Sequence, residues 1–282
     1  EIVKFGIGDF DGFFYEYKIP QIGKEFDLLK ICAHGILNIE LKSCSVRIEK
    51  IEKQLIKNEY YLRNFGRKMY LIEYIPSTHE VYILNDRNKA ETFSEDELAK
   101  VIREFSVQFY PETRNLFRVS DYLVSPLNTP IRFLKGEYFL TQQQDAIKEE
   151  IITAIIDGKP FQFFCIRGAA GTGKTLLLYD IAKECSKIGS CCIIHSGNLS
   201  EGHYVINRKM ANLTIIAAKE LRYEFDLSEH KFIFVDEAHR IYSSMFSKIV
   251  SSASHCGSIC VFCCDPRQVL SKSEHYRAIP SK

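Results

Sequence analysis

The stretch "FFCIRGAAGTGKTLLLYD", Phe163 to Asp180, decides the reading of the chain. A short apolar run ends at Arg167. It is followed at once by "GAAGTGKT", Gly168 to Thr175, and then by a segment with helical periodicity. Every fixed position of the phosphate-loop pattern is filled, in the strand, loop and helix order that its chemistry requires. Glycines at Gly168, Gly171 and Gly173, with Thr172 between them, let backbone N–H groups close around phosphate oxygens with no Cβ in the way. The helix N-terminus adds a partial positive charge facing the same anion. In this pattern Lys174 reaches the β and γ phosphates of a nucleoside triphosphate, and the Thr175 hydroxyl ligates Mg2+. A chance glycine-rich turn would need neither the preceding strand nor the following helix.

Outward from the loop the chain alternates. A helix is expected around Gln142 to Ile156, then strands at "FQFFCI", "CCIIH", "LTIIAA", "FIFVD" and "SICVFCC", with one helix from Lys174 and another between the last two strands. Continuous apolar strands separated by helices indicate a parallel sheet covered on both faces. "KFIFVDEAHR" ends such a strand in Asp236 and Glu237, where an acid lies beside the phosphate loop. Asp236 is placed to hold Mg2+ through water, and Glu237 to polarise the attacking water. In "CCDPRQVL", Gln268 follows another strand and is a candidate γ-phosphate sensor.

"GAAGTGKT", "VDEAHR", "CCDPRQ" and "HSGN", the last ending at Asn198, together resemble the first RecA-like lobe of superfamily 1 helicases, and more narrowly Schlafen-type helicase domains. The resemblance runs over about residues 139–270. It implies ATP and Mg2+ as cofactors and ATP-driven movement on, or remodelling of, a nucleic acid. "FLTQQQDAI" is similar to the glutamine motif that reads adenine in these enzymes, with either Gln143 or Gln144 in that role. Such motors close ATP against a second RecA-like lobe that supplies a transition-state arginine. Arg240 and Arg267 lie inside first-lobe motifs and are poor substitutes. The second lobe is therefore expected in a longer chain or in a partner protein, and the chain alone is expected to bind ATP and hydrolyse it slowly.

The N-terminal half has a different character. "GFFYEYKIP", "EFDLLKI" and "ILNIELKS" read as short strands, Val46 to Phe65 as a helix, and "MYLIEYI" and "EVYILND" as two further strands. Ser94 with Glu97 three residues on caps a following helix. Residues 111–138, with Pro126 and Pro130, read as a linker between a domain of residues 1–110 and a domain of residues 139–282. Hydrolysis of a phosphodiester by a metal ion needs carboxylates converging on the cation and a group that orients water. Asp27 opens one strand, while Glu40 and Lys42 lie two apart on the next and so share a face. Leu41 between them can offer its backbone carbonyl to the metal. The same residues also fit the polar trim of an ordinary hairpin. "EFDLLKI" followed by "ILNIELKS" resembles the nuclease-related NERD domain within the PD-(D/E)xK nucleases, over roughly residues 13–86. That resemblance implies a restriction-endonuclease-like mixed-sheet fold and an Mg2+ or Mn2+ site on Asp27, Glu40 and the Leu41 carbonyl. It further implies Lys42 as a catalytic residue and Gln54 nearby. Many members carry a further acid on a preceding helix; here Glu16 and Glu25 are the acids at hand.

The expected whole is an α/β protein, a mixed-sheet nuclease-like domain followed by a parallel-sheet ATPase lobe. The resemblances imply DNA as the partner and a setting in repair, restriction or defence against foreign nucleic acid. The alternative is an ATP-switched nucleic-acid-binding module that does not cut. Composition is compatible with both: 46% hydrophobic and 26% charged residues build an ordinary core, and 37 basic against 36 acidic residues give no argument from net charge. The 10 cysteines, several inside apolar runs, read as reduced thiols of a cytoplasmic protein. His255, Cys256, Cys260, Cys263 and Cys264 lack paired zinc knuckles, and strand alternation sends their sulfurs to opposite faces. No apolar run reaches membrane-spanning length. Oligomerisation is left open.

Overall fold

The structure is a computed structural model that describes residues 10–19, 22, 24–33, 35–106, 117–158, 162–223 and 225–265. Gln268 and Arg267 lie outside them. The chain divides into two compact units between Leu123 and Val124.

In the first unit, strands β1 (Phe14–Lys18), β2 (Glu25–Cys32) and β3 (Gly35–Leu41) form an antiparallel meander. Helix α1 (Ile48–Leu62) then carries the chain over one face, so that β4 (Lys68–Ile75) returns parallel to β3. Strands β5 (Glu80–Leu84) and β6 (Ala90–Phe93) complete a six-stranded mixed sheet in sequence order, followed by α2 (Glu95–Ser106) and the short α3 (Val119–Tyr122). The sixth strand was not anticipated from the sequence. It pairs antiparallel with β5 through a turn in which Asn88 takes a left-handed φ of 58°, a conformation asparagine tolerates.

Alternation along these strands sorts the two faces. Leu37, Ile39, Ile72, Tyr74 and Val81 pack against Leu98, Val101, Ile102 and Phe105 of α2. Ser94 and Glu97 cap that helix reciprocally, the Ser94 N–H donating to Glu97 and the Glu97 N–H to the Ser94 hydroxyl. At Gly35 a Cβ would stand 3.0 Å from both the Lys68 carbonyl oxygen and the Phe105 ring, so glycine permits the close approach of β3 to its neighbours. The opposite face, under α1, buries Ile36, Leu71, Ile51 and Leu55, and with them an unusual set of polar residues described below.

The second unit opens with α4 (Pro130–Lys135) and α5 (Gln142–Ile156). Five strands then follow, β7 (Phe163–Arg167), β8 (Cys191–His195), β9 (Leu213–Ala217), β10 (Phe232–Asp236) and β11 (Ile259–Cys264). Between them lie helices α6 (Lys174–Cys185), α7 (Glu201–Lys209) and α8 (Ser243–Cys256). The strands form one all-parallel sheet in the order β7-β11-β10-β8-β9. Helix α7 was missed in the sequence because its cap partner three residues after Ser200 is His203, whose Nδ1 accepts from the Ser200 N–H, in place of the usual Glu or Gln. Cys260 and Cys264 face one core cluster and Cys263 the other, so β11 divides its sulfurs between the two faces of the sheet. Among the described residues no helix is long and apolar enough to cross a membrane.

Residues read as the end of a linker belong to the second core. Phe133 of α4 is fully buried, stacks on Tyr138 at 5.4 Å and meets the edge of Tyr179. The ammonium group of Lys183 donates to the Phe133 and Leu134 carbonyls, closing the end of α4. Truncating such an aromatic side chain leaves a cavity worth about 3–5 kcal/mol. Phe133→Ala is therefore expected to lower the stability of the second unit by that amount in urea unfolding; a loss below about 1 kcal/mol would contradict this packing.

Candidate functional site

Two sites emerge, one in each unit. In the first, sheet register does the assembling. Glu40 lies opposite Glu73 on the parallel strands β3 and β4. On the other side Leu28 pairs with Ile39, so Asp27, one residue further along β2, comes level with Glu40. Asp27, Glu40 and Glu73 thus form one row across three adjacent strands, on the face covered by α1, with Lys42 two residues beyond Glu40.

Glu40 is only 3% exposed. Its Oε1 accepts from Asn58 Nδ2 at 2.8 Å and from Asn38 Nδ2 at 3.3 Å, and its Oε2 accepts from Gln54 Nε2 at 3.5 Å. The Lys24 ammonium, itself buried, stands 3.6 Å from Oε1. Asn58 also donates to Asn38 Oδ1 at 2.6 Å, and Gln54 to Asn58 Oδ1 at 3.2 Å, so the amides form a connected network. Burial pushes the Lys24 pKa down, against the opposing charge of Glu40. Asp27 Oδ2 accepts from the Leu41 N–H at 2.7 Å.

Of the residues read from the sequence, Asp27, Glu40 and Gln54 are brought together, with Leu41 bonded to Asp27. Glu16 and Glu25 are not part of the cluster: Glu16 is exposed at a left-handed φ of 49°, and Glu25 pairs with Lys18 at 3.4 Å. Sequence reasoning missed Asn38, Asn58, Lys24 and Glu73. The clearest signal was "MYLIEYI", where one glutamate interrupts an otherwise apolar run that must lie inside the sheet. As the side chains stand, no three His, Cys, Asp or Glu groups among the described residues are gathered tightly enough to hold a metal ion.

In the second unit the strand ends gather the site. Register places Arg167 beside Cys264 and His195 beside Asp236, and the Gly168 N–H donates to the Cys264 carbonyl, fixing the start of the loop against β11. Gly171 and Gly173 have φ of 78° and 76°, the left-handed region that glycine enters without strain. The Lys174 ammonium donates to the Gly168 and Ala169 carbonyls at 2.8 Å each. The Thr175 hydroxyl lies 3.3 Å from both oxygens of the buried Asp236 carboxylate, uniting the two expected Mg2+ residues. Glu237 follows at a left-handed φ of 49°, strained for a non-glycine residue, with its carboxylate paired to Arg240 at 2.6 Å. Gln144 caps α5 by accepting from the Thr141 N–H at 2.9 Å and donates to the Thr172 carbonyl at 2.9 Å, joining α5 to the loop. Gln143 is exposed on the same helical turn.

Beside Asp236 lies an imidazole pair that sequence reasoning did not single out, the buried His203 and the partly buried His195. His195 Nδ1 is 3.6 Å from Asp236 Oδ2, and the His195 and His203 rings are 4.6 Å apart. Desolvation, followed by the neighbouring His195, pushes His203 down to about 4.

Residues 162–278 match the family described as Schlafen group 3, DNA/RNA helicase domain. That span lies in the second unit and takes in its phosphate loop, Asp236 and Glu237, so this part of the chain is similar to a Schlafen-type helicase domain. No curated protein matches the chain.

Two outcomes follow from this geometry. Gly173→Ala forces a left-handed alanine and sets a Cβ 2.5 Å from Gln144 Nε2, so affinity for a fluorescent ATP analogue should fall by about tenfold or more, from strain of about 1–3 kcal/mol. Unchanged affinity would contradict the tight loop. Because His203 stays neutral in the folded protein down to about pH 4, the unfolded chain takes up the extra proton between about pH 6.5 and 4. This contribution to stability is complete above that window and is lost as pH falls through it. His203→Gln should flatten the fall in melting temperature across the window; an unaltered slope would contradict the assignment.

Proposed function

We propose that the chain is a nuclease joined to a helicase-like ATPase, with metal-dependent cleavage of nucleic acid in the first unit and ATP binding and hydrolysis in the second. The observation that carries the reading is the Glu40 cluster. A buried carboxylate is held by three amide side chains and a buried lysine, in line with Asp27 and two residues before Lys42. A hairpin's polar trim is solvated; this set is withdrawn from water, at a cost that folding alone does not explain. Hard oxygen donors of this type fit Mg2+ or Mn2+. Asp27, Glu40 and the Leu41 carbonyl are the residues to hold the ion, which supplies Lewis-acid stabilisation of the phosphodiester's developing charge. Lys42 orients the attacking water, and Gln54 and Asn58 keep the Glu40 carboxylate in one orientation.

In the ATPase unit the loop backbone and Lys174 bind the triphosphate, Thr175 and Asp236 hold its Mg2+, and Glu237 positions water. The Arg240 pair holds the Glu237 side chain in place, and Arg240 is thereby committed to the first lobe. Gln143 or Gln144 reads adenine, Gln268 senses the γ-phosphate, and a second RecA-like lobe completes the motor. DNA is the proposed substrate, in repair, restriction or antiviral defence.

A second reading is favoured by one observation: both Glu40 oxygens already accept amide donors, as in a structural polar core. In that case the first unit binds nucleic acid under ATP control without cutting it. Assays on plasmid, linear and single-stranded DNA with Mg2+ or Mn2+ separate the two. The nuclease reading expects cleavage reduced by at least about a hundredfold in Glu40→Ala and Lys42→Ala with ATP binding retained, since each removes several kcal/mol of transition-state stabilisation. Lys174→Ala should abolish ATP binding. Cleavage indifferent to both front-unit substitutions would sink the site.

A further inference from the structure

We infer that Glu73 is a third carboxylate ligand of the cation site in the first unit. The inference rests on the proposal that Asp27 and Glu40 hold a divalent cation, and it assigns to that site a strand and a residue that neither sequence motif includes.

Glu73 is fully buried, at 0% exposure, and among the described residues neither of its carboxylate oxygens has a hydrogen-bond partner. The other two acids of the row are satisfied, Asp27 by the Leu41 N–H and Glu40 by Asn38, Asn58 and Gln54. The residue facing Glu73 on β5 is Tyr82, whose hydroxyl is turned to Glu80 at 3.5 Å. The groups that act on the Glu73 charge are Lys42, Glu40 and Asp27, and burial is the largest influence, pushing its pKa up. Burying a carboxyl group with neither oxygen hydrogen-bonded costs about 1–3 kcal/mol. Packing gives no reason to bear it. The other residues of β4 on the same face, Met69, Leu71 and Ile75, are apolar, and a leucine would fill position 73 without any unmet polar atom.

A cation held across the row meets this need. Neighbouring strands lie about 4.8 Å apart, so three in-register carboxylates on β2, β3 and β4 can lean toward a common point from three directions. Each carboxylate offers about four lone-pair sites, so Asp27 and Glu40 retain acceptor capacity beyond the N–H groups they engage. The side chains as they stand do not form a finished cage. Glu73 is the member with both oxygens uncommitted, and a third negative ligand raises the charge that the site offers to a hard cation.

The test is isothermal titration of the full chain with Mn2+ in nucleotide-free buffer, on the unaltered protein and on Glu73→Gln, Glu73→Leu and Glu40→Ala. Melting temperatures are measured without metal alongside. Glu73→Gln and Glu73→Leu are expected to weaken Mn2+ binding by about tenfold or more, as loss of one charged ligand does. Both should leave the metal-free melting temperature unchanged or raised, because they remove a buried carboxyl group that has no hydrogen-bond partner among the described residues; a purely structural glutamate would move it down. Unaltered Mn2+ affinity in Glu73→Gln, with binding lost in Glu40→Ala, overturns the inference and leaves the cation reading intact. Absence of Mn2+ binding by the unaltered chain overturns both. Binding that depends on Glu73 in a chain that cuts no nucleic acid upholds the inference and ends the nuclease proposal.

Discussion

Two glutamates in register on neighbouring parallel strands, both out of water, set the terms for the first unit. Parallel pairing of β3 with β4 puts Glu40 and Glu73 side by side, and α1 seals the face that carries them. Buried like charges raise each other's cost, so the surroundings must answer each one. Around Glu40 the answer is visible: Asn38 from the same strand, Gln54 and Asn58 one helical turn apart on α1, and Lys24 before β2. Four polar residues in an otherwise apolar layer are explained by one carboxylate. Around Glu73 no such answer is built from the described side chains.

The second unit solves a different problem with backbone and strand ends. Its loop has left-handed glycines leading into α6, and the parallel sheet delivers Asp236 and His195 to neighbouring positions at the carboxyl ends of β10 and β8, with Thr175 of the first turn of α6 beside Asp236. Strain is placed at Glu237, where a left-handed backbone and the Arg240 pair fix a carboxylate next to Asp236. One unit thus works with the backbone of a glycine-rich loop at a helix start, while the other brings three carboxylates into one row of a sheet.

Much of this was legible in the sequence, for identifiable reasons. The phosphate loop, the strand ending in Asp236 and the change from mixed to alternating architecture follow from local pattern, because glycine spacing and apolar runs report directly on backbone geometry. That Asp27, Glu40 and Gln54 belong together was legible through resemblance and strand spacing. Glu73 was not, since its meaning lies in the pairing of β3 with β4 across a helical crossover, which no local window contains. Asn58 and Asn38 were hidden for the same reason, and Lys24 reads as a surface lysine until the fold closes over it. Helix α7 and strand β6 escaped because an imidazole replaced the usual cap partner and because a four-residue strand carries little period.

The most direct measurement is a crystal structure of the chain grown or soaked with Mn2+, with the ion located by its anomalous scattering. The account predicts a peak within about 2.0–2.6 Å of carboxylate oxygens of Asp27, Glu40 and Glu73, with Lys24 still beside Glu40. An occupied nucleotide site with no peak at that row, and Glu73 bonded instead to a protein donor, would contradict it.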